Sequence, residues 1–223
     1  LGAVSTTFII GVLMTRKGLA KPIGSMTQYD KIRVGRGENK QYKHYGEIVP
    51  LTDLNDIVFG TWDAYPDNAY EAAINAEVLK EKDINPVKNE LEKIVPMKAA
   101  FDHDYAKRIE GENIMKGATR KEMIENLRKD ISDFKKNNNC ARIVVIWAAS
   151  TEIYVPYYSP VHDSLADLEK AIEANDKEHI APSMCYAYAA LKEDAPFIMG
   201  APNTTVDIPA MWELAEQTKV PIA

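Results

Sequence analysis

Cysteine is scarce in this chain. Cys140 and Cys185 are the only two among 223 residues; they have no metal-ligand spacing and make no disulfide framework, which suits a reducing compartment. Long apolar runs are missing too. The longest nearly apolar stretch, residues 8–14, falls far short of the ~20 residues that span a bilayer, and no basic-then-apolar leader precedes it. A cytoplasmic location without a membrane partner is therefore expected. Neither sign of charge dominates, with 27 Lys+Arg against 33 Asp+Glu for a net charge of −6, and the basic residues are scattered rather than gathered into the patch that nucleic acid requires. A small molecule is the expected partner. Low-complexity segments and flexible linkers are also missing, and 46% hydrophobic residues suffice for a sizeable core, which excludes a disordered chain.

What is present alternates in type. Residues 5–17 place Phe8, Ile9, Val12 and Leu13 at helical spacing, closed by Gly18. Between Pro22 and Pro50 glycine, tyrosine and charge follow one another irregularly, which reads as a long insertion with one short strand near 31–34. Residues 56–62 form a β-like run, followed by a turn and a helix over 68–80 with Asp67 as its cap. A short helix over 85–93 and a short strand over 97–101 come next. Thr119-Arg-Lys-Glu122 matches a capping box, opening a helix whose apolar stripe is Met123, Leu127, Ile131 and Phe134 and whose charged face is solvated. Residues 142–147, continuous and β-branched, read as a fully buried parallel strand. Helices over 164–174, 183–192 and 208–217 and strands over 196–199 and 219–223 complete the pass. This order predicts an α/β fold, a doubly wound and mostly parallel sheet with helices on both faces, in one domain over 1–223. Both ends look cut: Leu1 opens the chain with no strand before the first helix, and the chain stops on a strand. A fragment is the expectation.

Small residues ahead of a helix are what a nucleotide pyrophosphate needs, because backbone N–H groups must approach it closely and the helix dipole favours its charge. Gly2, Ala3, Val4 and Ser5 qualify, although a helix start without a ligand has the same appearance. Three more small, polar segments each follow an expected strand: Gly60-Thr-Trp-Asp63, Ala148-Ala149-Ser150-Thr151-Glu152 and Met199-Gly200-Ala201-Pro-Asn-Thr-Thr205. Strand C-terminal loops of this kind build a cofactor crevice, with Asp63 suited to hydroxyl recognition and Ser150 and Thr151 to phosphate or ribose. The bland alternative for each is a turn residue or helix cap. His162-Asp163 is a weaker candidate for acid/base chemistry, since Asp163 serves equally as a cap, and Asp102-His103-Asp104 lacks the distant third partner of a metal site. No metal is expected from them.

Taken together, these segments resemble the myo-inositol-1-phosphate synthase family in its bacterial and archaeal form. The resemblance rests on Leu-Gly-Ala-Val-Ser-Thr-Thr (1–7), Lys-Pro-Ile-Gly-Ser (21–25), Val-Phe-Gly-Thr-Trp-Asp (58–63), Asp-Asn-Ala-Tyr-Glu-Ala-Ala (67–73), Trp-Ala-Ala-Ser-Thr-Glu (147–152), Ile-Ala-Pro-Ser-Met (180–184) and Gly-Ala-Pro-Asn-Thr-Thr-Val-Asp-Ile-Pro-Ala (200–210). It implies an NAD-binding, Rossmann-like domain of an isomerase that oxidises glucose 6-phosphate, closes the ring by an aldol step and reduces the product to inositol phosphate. It places the NAD pyrophosphate against Gly2, Ala3, Val4 and Ser5, the adenosine ribose on Asp63, and further cofactor contacts on Ala149, Ser150, Thr151, Gly200 and Ala201. Ser150 stands where many relatives have asparagine, and Ala201 where a serine is common.

The same resemblance bears on both ends of the chain. The family's catalytic lysines lie in a stretch expected after Ala223, so no catalytic residue is expected within the chain, nor cyclisation by the chain alone. A first strand is expected before Leu1, a downstream catalytic domain after the end, and a homotetramer for the full enzyme. Two other readings stand beside it: an NAD-linked sugar-phosphate dehydrogenase that releases reduced cofactor, and a non-catalytic nucleotide-binding or assembly module.

Overall fold

Ala3–Arg16 wind into the first helix, α1, from an extended Gly2, and Gly18 takes a positive φ of 68° just past its end, the left-handed turn that favours glycine. The structure is a computed structural model describing residues 1–223. Its chain gathers into two units, Gly2–Phe59 with Asn68–Ile94, and Leu1 with Gly60–Asp67 and Val95–Ala223.

In the first unit α1 buries Thr6, Ile9, Ile10, Val12 and Leu13 on one face. That face packs on α3 (Ala69–Asn75) and on a 3-10 turn at Asn85–Val87 that links α4 (Glu81–Ile84) to α5 (Lys88–Leu91). Ile84, Val87 and Leu91 are fully buried there. Arg16 Nε donates to Leu54 O at 2.6 Å and Lys17 Nζ to Pro86 O at 2.7 Å, which ties the end of α1 to both flanking loops. The expected insertion contains α2 (Met26–Tyr29) and two strands rather than one: β1 (Lys31–Val34) and β2 (Gln41–His44) form an antiparallel hairpin with Ile32 opposite Lys43. None of the residues from 19 to 51 is buried.

In the second unit β3 (Trp62–Asp63) runs parallel to β4 (Met97–Lys98), and β5 (Val145–Trp147) parallel to β6 (Phe197–Met199). Ile222 adds a parallel bridge to Phe197. Between the strands come α6 (Arg120–Asn137), α7 (Ser159–His162), α8 (Leu165–Glu173) and α9 (Pro182–Lys192), and after them α10 (Pro209–Thr218). The core centres on α9, buried from Pro182 to Leu191 except at Tyr188 and packed against α6, α10, β5 and β6. Tyr186 sits edge-on to both Trp62 and Trp147, at ring-centre distances of 5.4 and 5.3 Å. Such pairs add to the burial itself.

Several local expectations are corrected. The parallel ladders are short pairs rather than one continuous sheet. The run 56–62 keeps only its last residue as strand, and the helix expected over 68–80 ends at Asn75. Its cap is Asn68 and not Asp67: Asn68 Oδ1 accepts from the N–H groups of Tyr70 and Glu71 at 3.0 and 3.1 Å, and Glu71 reaches back to Asn68 N. Likewise Ser164, not Asp163, caps α8, through the N–H of Asp167 at 3.2 Å. The strand at 142–147 is not buried on both sides, because Val145 points into the core while Ile146 and its register partner Ile198 are 51% and 38% exposed. Arg120, one turn before Met123 on the apolar side of α6, is fully buried; the capping box forms as expected, with Glu122 N donating to Thr119 Oγ1 at 3.2 Å and Thr119 N to Glu122 Oε2 at 2.8 Å.

Candidate functional site

Gly2, Ala3, Val4 and Ser5 form the opening turn of α1 in the first unit. No side chain caps this end and no acidic residue stands in its first turn. Thr6 N is the first to bond within the helix, donating to Gly2 O at 3.1 Å, and the Thr6 hydroxyl turns back to the same carbonyl at 3.0 Å instead of capping. The N–H groups of Ala3, Val4 and Ser5 therefore point out of the helix end with its positive dipole behind them. A Cβ built on Gly2 meets nothing within 4 Å, and Val4 is 70% exposed. An exposed helix start of this kind can accept an anion.

The other candidates lie in the second unit. Gly200 N donates to Trp147 O at 2.9 Å, so the loops leaving β5 and β6 start side by side. That approach requires glycine: a Cβ on Gly200 comes within 2.6 Å of the Trp147 carbonyl oxygen. Ala149, Ser150, Thr151 and Gly200 are exposed, and Ala201 is half-buried. Asp63 ends β3, braced by Asn113 Nδ2, which donates to Asp63 O at 3.0 Å and to Met97 O at 3.1 Å. Its carboxylate accepts from Tyr65 N at 2.9 Å and from the Leu1 ammonium group. The neighbouring Trp62 is held by Asp130, which accepts from its indole N–H at 2.9 Å and whose carboxyl is pushed up by burial. Thus the structure brings 149–151 beside 200–201 within the second unit, and sets Asp63 at the end of the parallel pair β3 and β4.

Behind these exposed loops lies a polar network that sequence reasoning missed. Glu152 is 6% exposed, Ser183 and Thr205 are buried. Ser183 N donates to Glu152 Oε1 at 3.0 Å, the Ser183 hydroxyl bonds Oε2, and the Ser183 and Thr205 hydroxyls are 2.7 Å apart. Loss of solvent around Glu152 pushes its carboxyl up to about 7, against the pull of the Ser183 hydrogen bonds and of Arg120. Arg120 itself donates to Ile180 O at 2.7 Å and to Asp102 at 2.9 Å. Asp102 is therefore an ion-pair partner rather than a metal ligand, and no group of three or more His, Cys, Asp or Glu is placed to hold a metal. His162 is buried, taking Tyr158 N–H on Nδ1 and bonding His179 O through Nε2, while Asp163 accepts from Ser159 and Tyr157. Neither is set for acid/base work on a substrate. The one sequence signal for the network was a glutamate closing a small-residue loop at a strand end.

Across its whole length, residues 1–223, the chain matches the NAD-binding family model described as Myo-inositol-1-phosphate synthase. The chain belongs to the myo-inositol-1-phosphate synthase family. Inositol-3-phosphate synthase 1 of Bacteroides thetaiotaomicron is 65% identical over 222 residues, covering 100% of this chain and 51% of that relative. The rice inositol-3-phosphate synthase 1 is 33% identical over 228 residues, covering 96% of this chain and 44% of its own length. A crystal structure of inositol-3-phosphate synthase from Caenorhabditis elegans superposes with a TM-score of 0.90 at 26% identity, over 99% of this chain and 46% of that one. The chain thus spans about half the length of the curated relatives it matches. With this likeness the parallel pairs and their helices are those of an α/β, Rossmann-like fold, and NAD is the cofactor of this synthase-family domain.

Proposed function

We propose that this chain is the NAD-binding part of an inositol-3-phosphate synthase acting on glucose 6-phosphate, and that residues 1–223 serve as one dinucleotide domain. The observation that carries this reading is the family match from the first residue to the last. The exposed N–H groups at the start of α1 (Gly2, Ala3, Val4, Ser5) would hold the pyrophosphate by hydrogen bonds and dipole. Asp63 would accept from ribose hydroxyls through its carboxylate. Ala149, Ser150 and Thr151, with Gly200 and Ala201, would line the remaining contacts, largely through backbone. When bound, NAD would take a hydride from the sugar phosphate and return it after ring closure. The two unpaired thiols, Cys140 and Cys185, agree with a cytoplasmic setting, and a homotetramer is the assembly that the family resemblance implies.

Calorimetric titration with NAD tests the reading directly. Binding is expected, with Asp63→Ala weaker by roughly tenfold or more, the loss of a charged hydrogen-bond acceptor. Failure of the protein to bind NAD refutes it. With glucose 6-phosphate, a protein carrying this domain should yield inositol phosphate without net NADH; steady NADH release points instead to a dehydrogenase.

A further inference from the structure

Glu152, Ser183 and Thr205 join three separate pieces of chain: the loop after β5, the first turn of α9, and the loop after β6. Their connection is double. The side chains form the buried series Glu152, Ser183, Thr205, and beside it Asn203 Nδ2 donates to Glu152 O at 3.2 Å while Glu152 N donates to Asn203 Oδ1 at 3.4 Å. On the far side Ile153 N donates to Tyr105 O at 2.9 Å. Glu152 immediately follows Thr151, and Thr205 lies four residues beyond Ala201. The fixed, buried network therefore adjoins the exposed residues assigned to the dinucleotide.

We propose that Glu152 is a positioning residue for dinucleotide binding, its carboxyl clasping the loop after β5 to the loop after β6 through Ser183 and Thr205, and so setting where 149–151 and 200–201 stand. This rests on the NAD-binding reading of the same loops. The Glu152 side chain is buried against Ser183, so it acts through the backbone it anchors. A simple ion pair does not account for its place, because the nearby Arg120 spends its hydrogen bonds on Asp102 and Ile180. Nor does packing alone: an apolar residue here would leave the buried Ser183 N–H without an acceptor and the Ser183 hydroxyl with Thr205 alone.

Three variants of the 223-residue chain test the clasp, each measured for NAD affinity, for global stability and for amide hydrogen exchange of the two loops. Glu152→Gln keeps an acceptor for Ser183 N and gains a donor for Ser183 Oγ, so its loops and affinity should match the parent. Glu152→Ala should weaken NAD by about tenfold or more and speed exchange in 148–152 and 200–205 together. Thr205→Val cuts only the outer link, and should loosen 200–205 while leaving 148–152 protected; it carries the test if the alanine variant does not fold. Parental affinity and exchange in Glu152→Ala, or a glutamine variant as impaired as the alanine one, overturns the proposal. Loop exchange that behaves as expected in a parent that binds no NAD overturns the cofactor reading and the positioning role with it, while showing the clasp itself to be real.

Discussion

Replacing Glu152 by glutamine removes one proton-binding group from the interior, and the consequence for stability can be worked out from its surroundings. In the fold the carboxyl has lost most of its water, and its pKa stands at about 7 against an ordinary 4.5. Between those pH values the folded state binds more protons than the unfolded chain, so the free energy of unfolding falls as pH rises. The stabilising contribution is whole below about pH 4.5, shrinks through the interval, and is gone above about 7. A shift of this size corresponds to about 3 kcal/mol in all, of which about 2.5 kcal/mol falls between pH 5 and pH 8. Glutamine has no proton to lose and can keep the hydrogen bonds to Ser183. Urea unfolding of parent and variant at pH 5, 6, 7 and 8, followed by tryptophan fluorescence, isolates this group, because every other titration is common to both and cancels in the difference. The variant should gain about 2.5 kcal/mol on the parent over that range. Two stability profiles that stay parallel within about 0.5 kcal/mol would show that Glu152 is ionised throughout, and the argument from desolvation would fail.

Two other substitutions probe the frame around the site. Gly200→Ala drives a Cβ against the Trp147 carbonyl oxygen, a backbone atom that cannot rotate away, so about 1–3 kcal/mol of stability should be lost and the first residues of both loops should exchange faster; an unchanged melting temperature refutes the close approach. Arg120→Met leaves Asp102 and the Ile180 carbonyl without their partner and should cost about 3–5 kcal/mol in urea unfolding, with Asp102→Asn in the same chain restoring part of it; a loss below about 1 kcal/mol would mean that the pair is solvated.

Much of the fold was legible because its signals are local. The capping box at Thr119 and Glu122 closes within four residues, and its geometry needs nothing from the rest of the chain. The helix start at Gly2 and the strands at Val145–Trp147 and Phe197–Met199 carry their own patterns as well. Where two cap-forming residues stand in a row, the sequence does not choose: Asp67 and Asn68 are equally suited, and the choice falls to Asn68 because its oxygen reaches two N–H groups while Glu71 reaches back. The second strand of the hairpin, Gln41–His44, was missed because Gln-Tyr-Lys-His has no apolar alternation, and its pairing with Lys31–Val34 is held by backbone hydrogen bonds alone rather than by a buried face.

The candidate site divides the same way. Candidates for backbone contact with a ligand are recognisable by being small and placed at strand ends, which is how Gly200 and Ala149 were picked out, and the structure adds that Gly200 is required by its contact with Trp147. The residues that hold those loops are polar and buried, the reverse of what hydrophilic composition suggests, and burial becomes tolerable only once partners far along the chain arrive: Ser183 is 31 residues from Glu152 and 22 from Thr205. No periodicity marks such a set. A buried carboxyl costs free energy wherever it is ionised, so its presence beside two converging loops argues for a task that an apolar residue would not perform, and holding those loops in register is the task its hydrogen bonds describe.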